Sequence, residues 1–392
     1  MKKARLFFIV VAIAVIVKLA LFAFVTVHAP QGKMLVDSYE YLRLSEVLAS
    51  KGSFIAENGT SFEMFRTPGY PFFLAIFHGL MKIPLDGIVF IQIVMTLLAA
   101  FIVYKTAMMI EPRIAFLSGV IILFDPPTII YSMTILSEAL FLPLISLFLF
   151  FFVSYLKGKK TGHLILSAIF LAVSAYVRPV SYYLIFVIPV FILYASGREN
   201  FSKSLKQALI FLAVAYFIVG LWQIRNYYQC HNFIFCSSDG HNMDKVGLLK
   251  SYVRNTDPYT KGMAPLPYYV NVSFRTLTSL MTRPGNFKYF HYKPLTVTGL
   301  VIGYPWMVFW FSGLVMGAVS CRRNVYIQLM LLITLYFIAG SVIGQMWAVD
   351  PKLRVSMMLF IAIISAYGWV SLKQRVIGSK LSRNRASTIS KG

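Results

Sequence analysis

Residues 37–75 read DSYEYLRLSEVLASKGSFIAENGTSFEMFRTPGYPFFLA. The chain has 14 acidic residues, and five of them (Asp37, Glu40, Glu46, Glu57 and Glu63) fall in this stretch. Arg66 and a Pro-Gly-Tyr-Pro turn that contains Tyr70 follow them. In the first half, Tyr41, Leu44, Val47 and Leu48 share one helical face, Glu40 lies one turn from Asp37, and Gly52 is a stop signal. This predicts a short amphipathic helix on a membrane surface, with Asp37 at its N-terminus. Asp is also a common helix cap, so Asp37 has a purely structural reading as well. In the second half, Pro68, Gly69 and Pro71 force a turn. The apolar run 70–82 is too short to cross a bilayer and reads as an interfacial helix.

On both sides of this stretch the chain is apolar. Its 392 residues are 58% hydrophobic and only 13% charged, a balance that excludes an ordinary soluble domain. A membrane-spanning helix needs about 20 apolar residues. Candidate spans lie at roughly 6–27, 88–110, 114–134, 136–156, 164–177, 180–195, 207–224, 296–318, 327–347 and 354–372. The expected fold is therefore an all-α polytopic membrane protein of about ten transmembrane helices. The opening MKKARLFF looks like the start of a signal peptide. The apolar run after it is too long, and no small-residue cleavage site precedes Asp37, so it reads as an uncleaved first helix.

Lysine and arginine set the orientation. About half of the 37 basic residues fall in the short segments 1–5, 105–113, 157–163, 196–206, 321–324 and the tail from 371. These segments are assigned to the cytoplasmic side. Only Glu111 and Glu199 join them there; the other acidic residues fall on the opposite side or near it. The net charge of +23 is thus a membrane signal, directed at anionic lipid headgroups, and not a nucleic-acid signal. The organisation that follows is a core (1–224) with a first outer loop (28–87), a large outer loop or subdomain (225–295), C-terminal spans (296–372) and a basic tail (373–392) expected to be disordered. Cys230 and Cys236 fall on the outer side, where either a disulfide or two free thiols fits. No Cys/His spacing resembles a zinc site.

Several charged residues stand at outer helix ends. Glu138, in YSMTILSEALF, opens a strongly apolar helix. A charge at a helix centre costs roughly 2.5–3.5 kcal/mol on insertion scales, less near an end, so a group here normally faces a cavity or a partner. Favourable interaction with the helix dipole is the simpler alternative. Asp125, beside Pro126 and Pro127, marks a helix break. Arg66, Arg178, Arg225 and Arg354 each read singly as an interfacial anchor. As a set on the acid-rich side they suggest an anion site, since the guanidinium fork binds phosphate oxygens in pairs.

The blocks DSYEYLRLSEVLASKGSF…FRTPGYPFFLA, YSMTILSEALF, VRP, LWQIRNYYQCHNFIFCSSDGHN and LRVSMMLFIAIISAYGW, in this order, resemble the GT-C membrane glycosyltransferases. The branch they are most similar to is that of bacterial proteins akin to dolichyl-phosphate-mannose protein mannosyltransferases and the lipid A aminoarabinose transferase. Where that family often has an RYR run before the last helix, this chain has Lys352 and Arg354. The resemblance implies an inverting transfer of sugar from a polyprenyl-phosphate donor to a lipid, glycan or protein acceptor. It places the enzyme in the bacterial inner membrane, with the active site facing the periplasm. It implies Asp37 as general base and Glu138 as a second catalytic carboxylate. Glu40, Arg66, Tyr70, Arg178, Arg225 and Arg354 become substrate-binding candidates. The leaving phosphate is already a good anion, so this chemistry calls for no metal or other cofactor. A polyprenyl-lipid flippase or transporter is the alternative class, although the sequence shows no pair of related halves. An enzyme resembling O-antigen ligases would differ mainly in its donor.

Overall fold

The computed structural model describes residues 2–56, 61–197, 200–237, 263–285, 292–344 and 351–389. Helix α1 spans Lys2–His28 and α2 spans Val36–Lys51; α3, Gly69–Leu74, continues as one wider π-helical turn, Ala75–Leu80. Then come α4 (Leu85–Ile110), α5 (Pro112–Leu123), α6 (Pro126–Ser132), α7 (Glu138–Gly158), α8 (Thr161–Val177), α9 (Val180–Ser196) and α10 (Phe201–Cys230). The last four are α11 (Pro265–Thr282), α12 (Lys293–Ser320), α13 (Val325–Gly344) and α14 (Lys352–Ile389). Among the described residues the only β pairing is an isolated antiparallel bridge between Ile55 and Phe62.

The protein is a multi-pass membrane protein. Among the described residues, seven helices are long and apolar enough to cross a bilayer, or eight if α5 and α6, bent by 52° at the break between them, count as one span. The break is legible in the sequence: Pro126 and Pro127 lack amide hydrogens, and Asp125 caps the new helix by accepting from the Thr128 amide (3.0 Å) and hydroxyl (2.7 Å). All ten expected spans exist as helical segments, but α8 and α9, with 17 residues each, fall short of a full span. The seventh expected span is part of the longer helix α10, which runs six residues past 224 to Cys230. The basic tail expected to be disordered continues α14 as helix to Ile389; Lys, Arg, Leu and Gln are good helix formers, and no Pro interrupts them.

Helix α14 is the most enclosed span, with 72% of its apolar window buried, whereas α1 has 17% and lies at the edge. In lipid there is little hydrophobic drive between helices, so close packing of small residues holds them together. Gly313 and Gly317 on α12 face Ser365 and Gly368 on α14. A Cβ at Gly313 would sit 2.7 Å from the Ser365 carbonyl oxygen, and one at Gly368 would sit 2.5 Å from the Gly317 nitrogen. Gly317→Leu should therefore push α12 off α14 and destabilise the fold by about 1–3 kcal/mol or more. A lowered thermal unfolding temperature in detergent is the expected reading. An unchanged temperature would show that this contact does not hold α14 in place.

Elements at one end of the bundle carry the site. Loop residue Lys33 pairs with Asp86 at the start of α4, and its carbonyl accepts from the Ile135 amide (2.9 Å). This brings the N-terminus of α7 beside α2. The Lys/Arg-rich turns after α7 and α12 lie at the opposite end, as the alternation of the helices requires.

Candidate active site

Asp37 does not cap its helix. The N-cap position is Leu35, whose amide donates to the Ser38 hydroxyl (2.9 Å). Asp37 stands one residue inside the helix, with its carboxylate turned to two cations. One oxygen accepts from Arg66 Nη2 and the other from Lys352 Nζ, each at 2.8 Å. Arg66 also reaches Glu40, through Nε at 2.7 Å and Nη2 at 2.6 Å. The three partners come from three elements far apart in sequence: α2, the turn before α3, and the first residue of α14.

The Pro-Gly-Tyr-Pro turn has a packing reason. Gly69 lies so close to the end of α8 that a Cβ there would sit 2.6 Å from the Tyr176 carbonyl oxygen. Thr67 donates to the neighbouring Val177 carbonyl (3.3 Å). The approach sets Arg66 near Arg178, which follows α8 directly. Before the turn, one Glu63 oxygen accepts from the amides of Phe65 (2.5 Å) and Arg66 (3.0 Å).

A second ion pair lies beneath the first. Glu138, 3% exposed at the start of α7, pairs with Arg178. Tyr41 joins the two pairs. The Arg66 guanidinium lies over its ring at 5.2 Å, and its hydroxyl faces Ser137. Tyr70 stands edge-on to it at 5.0 Å. Tyr70 itself is fully buried and donates to Gln92 Oε1 (2.5 Å). Gln92 in turn donates to the Thr134 carbonyl (2.7 Å). The hydroxyl of Tyr70, expected as a substrate contact, is thus engaged by Gln92 in the floor of the site.

Burial disfavours charge on Asp37, but Lys352 and Arg66 outweigh it and hold its pKa at about 2, below the ordinary 3.8. The folded value lies below the unfolded one, so this carboxylate stabilises the fold above a pH of about 4, and the contribution fades as pH falls toward about 2. Burial likewise works against charge on Arg66, yet Tyr41, Asp37 and Glu40 raise its pKa.

Two of the expected phosphate ligands are engaged elsewhere. Arg225 donates to the carbonyls of Glu63 (2.8 Å) and Phe54 (2.9 Å), and its guanidinium lies 4.6 Å from the Trp222 ring centre. Its neighbour Asn226 donates to the Ile234 carbonyl (2.9 Å). Together they brace the segment leading to Arg66. Arg354, 1% exposed, donates to the carbonyls of Leu280 and Arg283 (2.8 Å each), where it completes the open end of α11. Both arginines are held by backbone carbonyls. Cys230 and Cys236 are not joined by a disulfide, and the Cys236 thiol donates to the Phe65 carbonyl (2.9 Å). Residues 238–262 and 286–291 of the large outer loop lie outside the described residues.

Lys352 is the residue that sequence reasoning did not place in the site. One signal was available: a lysine at the first position of a helix meets the positive end of the helix dipole, which is unfavourable unless an anion is near.

Residues 66–222 match the family model of dolichyl-phosphate-mannose-protein mannosyltransferases. No curated protein matches the chain by sequence. Among solved structures, the chain is similar to the Archaeoglobus fulgidus oligosaccharyltransferase tethered with an acceptor peptide. There the TM-score is 0.57 at 12% identity, over 94% of this chain and 50% of that one. Archaeal AglB from the same organism, in complex with an inhibitory peptide and a dolichol-phosphate, gives 0.53 at 13%, over 98% and 52%. ArnT from Cupriavidus metallidurans bound to undecaprenyl phosphate gives 0.53 at 15%, over 94% and 63%. The chain thus spans about half the length of the oligosaccharyltransferase and less than two thirds of ArnT. Nearly the whole chain is used in each superposition, and the family match covers the segment holding Arg66, Glu138 and Arg178: the protein has the GT-C fold of membrane glycosyltransferases.

Proposed function

We propose that the protein transfers a sugar from a polyprenyl phosphate to an acceptor hydroxyl, with inversion, at the Lys/Arg-poor face of a bacterial inner membrane. The acceptor belongs to a lipid, glycan or protein. The acceptor oxygen bonds to the anomeric carbon as the bond from that carbon to the phosphate oxygen breaks. The acceptor proton passes to Asp37, and the electron pair leaves with the phosphate. Arg66 and Lys352 stabilise the charge that develops there. Glu138, held by Arg178, fixes the floor through Ser137 and Tyr41. The observation that carries this reading is the Asp37 carboxylate, placed between two cations from separate elements at the end of the bundle where the apolar spans stop.

The test is incubation of the purified protein with a polyprenyl phosphate bearing a radiolabelled sugar and a lysate of the host envelope as acceptor source. Loss of label from the lipid with release of polyprenyl phosphate is expected. In vesicles, intact labelled lipid that only changes leaflet would overturn transfer in favour of a flippase.

A further inference from the structure

The cations of the upper cluster are already occupied. Arg66 spends Nε and Nη2 on Glu40 and Asp37, and Lys352 holds the other Asp37 oxygen. Both oxygens of the proposed base are therefore engaged by the groups that a donor phosphate would need. A carboxylate held in this way is a poor proton acceptor. We infer that the donor phosphate and the Asp37 carboxylate compete for Arg66 and Lys352, so that an arriving donor draws these cations onto itself and frees Asp37 to act as base. The inference rests on the polyprenyl-phosphate reading above.

The geometry separates exchangeable cations from a fixed one. The side chains of Arg66, Lys352 and Asp37 are 22%, 21% and 27% exposed, whereas in the lower pair Arg178 is 15% and Glu138 4% exposed. The upper pairs are the more accessible to a ligand, and the Glu138 carboxylate that holds Arg178 is enclosed. Lysine sits on a flexible four-carbon stem, so Lys352 can turn from carboxylate to phosphate without moving its helix. The donor phosphate, a diester with one negative charge and two non-bridging oxygens, matches a carboxylate as a partner for either cation, and the second charge it gains as the sugar leaves draws both cations further onto it. The charged and titratable groups facing Asp37 are Glu40 and Tyr41 on its own helix, Arg66 from the turn, Lys352 from α14 and, at longer range, Arg178. With Lys352 and Arg66 drawn away, the negative neighbour Glu40 and the surrounding burial both raise the proton affinity of Asp37. The base would be strong only while a donor occupies the site.

Competition has a signature in binding alone. Removing the charge of Asp37 removes the rival of the phosphate, so Asp37→Asn should bind sugar-free polyprenyl phosphate about tenfold more tightly than wild type. Glu46→Gln, on the exposed face of the same helix, is the control for general loss of negative charge and should bind within about twofold of wild type. In a Lys352→Met background the gain from Asp37→Asn should shrink, because one of the contested cations is gone. The measurement is equilibrium binding of radiolabelled polyprenyl phosphate to the full chain in detergent, with polyprenol as the uncharged comparison. Asp37→Asn binding no tighter than wild type, or Glu46→Gln tightening equally, would overturn the competition while leaving the donor reading intact. A wild-type protein that does not prefer polyprenyl phosphate to polyprenol would overturn the donor reading and the competition together.

Discussion

Asp37→Asn should lower the rate of sugar transfer by about 10²-fold or more while the protein remains folded. The substitution keeps the volume and removes only the proton-accepting charge. The helix start does not depend on it, because the Ser38 hydroxyl receives the Leu35 amide. Arg66 keeps its two contacts to Glu40, so the turn stays anchored. The loss should appear in the turnover rate at saturating donor, since donor affinity is expected to rise. Initial rates with radiolabelled donor, set beside thermal unfolding of the same preparations, check this. Activity within a few-fold of wild type would leave Asp37 as an ion-pair partner only, and proton transfer would need another group.

The physical signals that were legible in the sequence are local ones. Asp125-Pro126-Pro127 announced a break, and a 52° bend is there. Gly52 was read as a stop, and it ends α2 at φ 63°, where its amide bonds to the Leu48 carbonyl (3.0 Å). Tyr41 and Leu44 were placed on one face, and both are buried. Amphipathic spacing, Pro and Gly act within a few residues, so a single sequence displays them.

What stayed hidden depends on which partner a side chain meets across the fold. Arg66, Arg178, Arg225 and Arg354 are one residue type at one end of the bundle, yet two meet carboxylates and two meet backbone carbonyls. The difference is set by tertiary approaches. Gly69 brings Arg66 against the end of α8, while the open end of α11 claims Arg354. Neither approach can be read from spacing along the chain. Asp37 was ambiguous for the same reason: an acid near a helix start can serve the helix or a distant cation, and only the position of Ser38 decides that it is the cation. Tyr70 stood in the right motif, but its hydroxyl was claimed by Gln92, 22 residues away.

The basic residues should therefore separate on two readouts. Arg66→Ala and Lys352→Met remove a charged donor from a partly exposed site and should weaken polyprenyl phosphate binding by about ten- to a hundredfold. Their effect on the unfolding temperature should be small, since pairs near the surface contribute little to stability. Arg66→Lys keeps the charge but loses the planar fork that reaches Asp37 and Glu40 together, so it should restore affinity only in part. Arg354→Met should do the reverse. It strips partners from the carbonyls of Leu280 and Arg283 and removes one of the two cations, with Lys18, that offset the buried carboxylate of Asp125. Breaking such a buried arrangement costs about 3–5 kcal/mol. Arg225→Met should cost less, about 1–3 kcal/mol, for its two lost carbonyl contacts in a half-buried setting. Thermal unfolding and phosphate binding, measured on the same five purified variants, test the division. A stable Arg354→Met protein that has lost phosphate binding would move the anion site to that arginine, and the cluster around Asp37 would then serve only to hold α2 to the turn.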